Sequence, residues 1–83
     1  MIMLTMIRQK LNLSQAELAR RSSVGASTIR AIESGRLKPL PSQRKKIVDA
    51  LEAAGCVLAG VNPFASIEDA DADGLAVLVQ TRW

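Results

Sequence analysis

Histidine and tyrosine are absent from this chain, and cysteine, phenylalanine and tryptophan occur once each. Each shortage excludes something. One cysteine can close neither an internal disulfide nor a cysteine zinc cluster, and without histidine no common zinc site can be built. The same lack removes every ordinary nucleophile–base pair, so the chain is not read as an enzyme. With so few aromatics, any core must be aliphatic. The lone Cys56 reads as a small buried apolar residue. No apolar run approaches the ~18 residues of a membrane span. The apolar start, Met1 to Ile7, lacks the basic leader and cleavage site of a signal peptide, so a cytoplasmic location is expected.

What is present is basic and unevenly placed. Residues 1 to 46 hold ten Lys or Arg against two Glu, a balance of +8, and residues 47 to 83 hold Arg82 against six acids, a balance of −5. Such asymmetry points to a nucleic-acid face at one end and another task at the other. Eighty-three residues make one small domain whose stability gains from association.

Residues 15 to 34, QAELARRSSVGASTIRAIES, hold two short helical patterns on either side of a tight break. Leu18 and Ala19 fall on the inward face of the first, Val24 plugs the turn, and Ile29 and Ile32 fall on the inward face of the second. Ala19 is small where the second helix must cross closely. Upstream, Leu4, Ile7 and Leu11 recur at helical spacing. Ser14 is a natural N-cap, with Glu17 placed to complete a capping box. Gly35 stands where a left-handed helix stop belongs. After a loop with two prolines, Ser42 can cap a fourth helix running to about Ala54 and stopped at Gly55.

These residues, over roughly 3 to 55, resemble the helix-turn-helix of the lambda-repressor and Cro family, also called XRE-like. The expected fold is mostly α: a four-helix lambda-repressor-like helix-turn-helix domain over residues 1–55, with a short C-terminal two-strand β extension over 56–83. The family's usual fifth helix is not visible. One departure sits inside the motif, since many members carry Gly at the turn position held by Ser23. A left-handed backbone there costs a non-glycine residue on the order of 1 kcal/mol.

The resemblance implies which residues meet double-stranded DNA. A helix turns by about 100° per residue. With Ile29 and Ile32 inward, the third helix turns Ser27, Arg30, Ala31 and Ser34 outward, with Ala26 and Thr28 flanking them near its tip. That face enters the major groove in such motifs. Arg30 is its only long cation, suited to guanine O6 and N7, with a phosphate contact as the alternative. Ala26 and Ala31 offer apolar contact only, so DNA shape is expected to carry part of the specificity. Gln15 matches a glutamine that lies against a phosphate in the family. Arg36, Lys38, Arg44 and Lys46 read as phosphate contacts that set register without reading sequence. Arg20 and Arg21 are weaker candidates. The resemblance also implies a structural ion pair between Arg8 and Glu33.

The C-terminal third reads differently. Residues 56 to 59 and 75 to 79 are short apolar runs bounded by Gly, Asn, Pro and Asp, which argues strands. A lone hairpin is marginal in water. The expected remedy is pairing with a second chain, placing Val57, Leu58, Leu75, Val77, Leu78, Val79 and Trp83 in a dimer or partner interface. The alternative is a docking tail over 62–83. Asp69 to Gly74 matches the first half of an EF-hand loop, but its twelfth position is Gln80, which has no carboxylate. It reads as a solvated acidic loop, so no metal or cofactor is expected. Asn62-Pro63-Phe64 reads as a turn. The function expected from all this is a sequence-specific transcriptional regulator, a homodimeric repressor on a palindromic operator. The alternative is the antitoxin of a toxin–antitoxin pair, repressing its own operon and binding a toxin through the extension.

Overall fold

The computed structural model describes residues 2–58 and 62–66. Among these residues four helices run in order: α1 Met3–Lys10, α2 Gln15–Ser22, α3 Ala26–Glu33 and α4 Pro41–Ala53. Leu4, Ile7, Leu18, Ile29, Ile47 and Leu51 are fully buried and form one aliphatic core. Packing α2 against both α3 and α4 places it at the centre of the helical layer. Ala19 is buried there, as the close crossing requires.

All four helices stop in the same way. A residue with positive φ follows the last turn: Asn12 at 58°, Ser23 at 59°, Gly35 at 81° and Gly55 at 106°. The next amide then reaches back to a carbonyl of the final turn. Leu13 bonds Arg8 at 3.0 Å, Val24 bonds Ala19 at 3.2 Å, Arg36 bonds Ala31 at 3.0 Å and Cys56 bonds Leu51 at 3.1 Å. This satisfies carbonyls that would otherwise be orphaned. Ser23 does adopt the left-handed backbone that favours glycine.

The starts are less uniform. Ser14 caps α2, its hydroxyl accepting from the Glu17 amide at 3.0 Å. The Glu17 carboxylate does not close the box; it accepts from Arg20 and Arg21 instead. At α4 the expected cap, Ser42, is displaced by two residues. Leu40 is the N-cap and Pro41 takes the first helical position, where its fixed φ and missing amide cost nothing. The Gln43 side-chain oxygen accepts the Leu40 amide at 3.0 Å.

The start of α1 has no side-chain cap. Its amides are met from far along the chain, Met3 donating to the Ala65 carbonyl at 2.9 Å and Leu4 to the Pro63 carbonyl at 2.7 Å. Asn62-Pro63-Phe64 is the turn expected, with the Asn62 side chain accepting from the Phe64 amide at 3.0 Å. Pro63 is buried, Phe64 packs on the core, and the Arg44 guanidinium lies 5.9 Å from the Phe64 ring centroid.

The expected first strand is not found where it is described. Cys56 to Leu58 hold no strand; the β pairing among the described residues is one antiparallel bridge, Ile2 to Ser66. Cys56 and Leu58 turn inward onto the helical core, and Val57 between them is half-buried. An extended segment lying on helices buries alternate residues just as a strand does, so the pattern alone does not separate them. The core therefore takes side chains from both sides of residue 55. The expected second strand, 75–79, and the acidic loop 69–74 lie outside the described residues.

Candidate nucleic-acid interface

The geometry of the interface begins with burial. Ile29 and Ile32 are pinned in the core and Val24 is buried in the turn, which sets how α3 is rotated about its own axis. Ser27, Arg30 and Ser34 are consequently exposed, while Thr28 and Ala31 are half-exposed. Ala26 is also half-exposed, but part of it packs against the core. No side chain caps the start of α3, which follows Gly25. Among the described residues Arg30 makes no hydrogen bond or ion pair. Its guanidinium is an exposed fork of donors on an otherwise short-chained helix face.

Around this face the cations are held to different degrees. Ser34 donates its hydroxyl to the Ala31 carbonyl at 3.0 Å and accepts from Arg36 Nε at 3.1 Å, drawing Arg36 back beside the end of α3. Lys38 and Lys46 are exposed. Lys45 spends its charge on Asp49 at 3.1 Å, an exposed pair of little energetic weight. Arg20 and Arg21 share Glu17, and those hydrogen bonds hold the Glu17 carboxyl below its ordinary pKa. Arg44 is turned to Phe64 and so faces the C-terminal segment.

Behind the face lies a polar junction. Arg8 donates from Nε to Glu33 Oε2 at 2.8 Å, from Nη2 to Glu33 Oε1 at 3.1 Å, and from Nη1 to the Leu13 carbonyl at 2.7 Å. Gln15, half-buried at the start of α2, donates from Nε2 to the same Glu33 Oε1 at 3.1 Å. The bond from Gln15 to Glu33 was not legible in the sequence. The two residues are eighteen apart and on different helices, so no periodicity links them.

The residues placed in a partner interface divide. Val57 is half-buried and Leu58 lies in the chain's own core, which removes Leu58 from any exposed contact surface. Leu75, Val77, Leu78, Val79 and Trp83 lie outside the described residues. Exposed large apolar side chains among the described residues are Leu37 and Leu40, both in the loop between α3 and α4. Cys56 is a buried thiol. No described helix is long and apolar enough to cross a membrane.

No curated protein and no solved structure matches the chain. The family model described as Helix-turn-helix matches residues 4–53, from the first turn of α1 to the end of α4. With α3 turned outward as that motif demands, the chain belongs to the helix-turn-helix family of the XRE and lambda-repressor type and is a DNA-binding transcriptional regulator.

Proposed function

We propose that this regulator is a homodimeric repressor that places α3 of each copy in the major groove of a palindromic operator. The observation that carries this reading is the outer face of α3, where Arg30, unpaired among the described residues, stands among Ser27, Thr28 and Ala31. Arg30 reads a guanine, Ser27 and Thr28 bond base edges or phosphates, and Ala26 and Ala31 meet apolar edges. Gln15, Ser34, Arg36, Lys38 and Lys46 hold the backbone and set register. Arg44, engaged by Phe64, is a weaker phosphate contact than its charge suggests. The role is non-enzymatic.

The second copy is held through the segment beyond Ser66, with Leu75, Val77, Leu78, Val79 and Trp83 as its apolar part and Val57 at its margin. Support comes from the helical surface, whose apolar side chains are largely used internally. The dimer sets the two recognition helices about one DNA turn apart, near 34 Å. Selection of bound duplexes from random DNA tests the reading. An inverted repeat with half-sites one turn apart supports it. Recovery of single half-sites, or of no sequence preference, overturns it.

A further inference from the structure

Three helix ends converge on one carboxylate. Glu33 closes α3, Arg8 lies in the last turn of α1, and Gln15 opens α2. Arg8 and Gln15 both donate to Glu33 Oε1, each at 3.1 Å. The Glu33 side chain is 5% exposed and that of Arg8 11%, and Gln15 beside them is half-buried. Gln15 is thus a partly exposed member of a mostly buried polar network.

We propose that Glu33 is a positioning residue for DNA binding, acting through the side-chain amide of Gln15. An ionised carboxylate only accepts hydrogen bonds. The amide must therefore turn its nitrogen, not its oxygen, toward Glu33. One N–H is spent on the carboxylate and the second is left for a phosphate oxygen, at the end of a helix whose own N-terminus favours an anion. Untethered, the side chain would sample several rotamers and both amide orientations, and binding would have to freeze them. The tether makes that ordering part of folding. It also links the phosphate contact to the Arg8 pair, so the α1–α3 clamp and the DNA contact share one oxygen. The proposal rests on the DNA-binding reading and adds a residue that itself touches no DNA.

A double-mutant cycle tests it, with Gln15→Met, Glu33→Gln and the pair, in the full-length chain. Binding to the selected duplex and to a random duplex is measured at one salt concentration. Gln15→Met should weaken both by roughly tenfold, the loss of one hydrogen bond to a charged group, with little change in melting temperature. In the Glu33→Gln background the same substitution should cost less than about threefold. A full tenfold cost there, with the fold intact, means the amide works without its tether and overturns the proposal. A parent chain that binds no duplex overturns the DNA reading itself, and the proposal falls with it. Glu33→Gln also loosens the Arg8 pair and can unfold the chain, so a second measurement needs no variant of Glu33. In the free parent protein, the side-chain amide resonances of Gln15 should be dispersed and slow to exchange, unlike those of the exposed Gln9. Resonances of Gln15 as averaged as those of Gln9 overturn the tether directly.

Discussion

Arg8 grips Glu33 through two hydrogen bonds, Nε to Oε2 at 2.8 Å and Nη2 to Oε1 at 3.1 Å, and so locks the end of α3 to the last turn of α1. Both side chains are nearly buried, 11% and 5% exposed. Each charge is tolerable there because the other is present. Removing one partner leaves an unpaired buried charge. Arg8→Ala or Glu33→Ala should each lower stability by about 3–5 kcal/mol, read from urea denaturation. Replacing both with apolar residues of similar volume should cost much less than the two single losses together. Additive costs would show that the pair is not acting as a unit.

On the outer face of α3, Arg30→Ala should cost about 1–3 kcal/mol at the preferred site and relax preference at one base pair. Lys38→Ala should weaken all duplexes alike and shallow the salt dependence. Titration of specific and random duplexes at two salt concentrations separates these effects. An equal loss on both duplexes for Arg30→Ala would make Arg30 a phosphate contact.

Ser23 and Gly35 end α2 and α3 in the same left-handed backbone, at φ 59° and 81°. The serine carries the steric cost that glycine avoids. Ser23→Gly should therefore stabilise by up to about 1 kcal/mol, and Gly35→Ala should destabilise by about as much. A Cβ at Gly35 would meet nothing within 4 Å, so that cost comes from the backbone alone. Thermal melting of the two variants, shifted in opposite directions, is the expected result. Ser23→Gly without effect would mean that flexibility gained by the unfolded chain cancels the relief.

The segment Asn62–Ser66 supplies two carbonyls to the start of α1 and the Phe64 ring to Arg44. Ending the chain after Gly60 should lower the melting temperature markedly, because the Met3 and Leu4 amides lose their acceptors. Ending it after Ser66 should leave the melting temperature of the helical head nearly unchanged. If the remaining residues make the dimer, the Ser66-terminated chain should sediment as a monomer and bind its operator far more weakly, since linked half-sites reinforce each other. A shortened chain that stays as dimeric as the full one would move the interface to the helices. It would also favour the tail as a docking segment for another protein, as an antitoxin would use it.

Burial, with Glu52 nearby adding to it, pushes the Cys56 thiol above its ordinary pKa of 9.0. The unfolded chain then gives up this proton at a lower pH than the folded one. Stability from this group is complete below the unfolded value and declines as pH rises through it toward the folded value. The urea midpoint should fall as pH rises through the ordinary thiol value and beyond, and Cys56→Ala should flatten that fall. Alkylation of Cys56 at neutral pH should be slow in the folded protein and fast in urea. Fast alkylation without denaturant would place the thiol at the surface.

Local chemistry and periodicity were enough to determine the helical half. The apolar spacing of Leu4 and Ile7, of Leu18 and Ala19, and of Ile29 and Ile32 places three core-facing stripes, and these same residues are buried. Gly35 and Gly55 mark two helix ends because only a residue without Cβ takes that backbone freely. The outward face of α3 follows from its inward one. Asn12 takes the same backbone after α1, where apolar spacing gives no mark of a stop and asparagine is a frequent second choice to glycine. Tertiary structure decided whatever depended on partners distant in the chain. Gln15 meets Glu33, the start of α1 finds its acceptors at Pro63 and Ala65, and Arg44 turns to Phe64. It also decided that Cys56 and Leu58 complete the helical core and begin no sheet. Alternating burial is the same one-dimensional signal in both cases, and only the surface lying beneath the segment tells them apart.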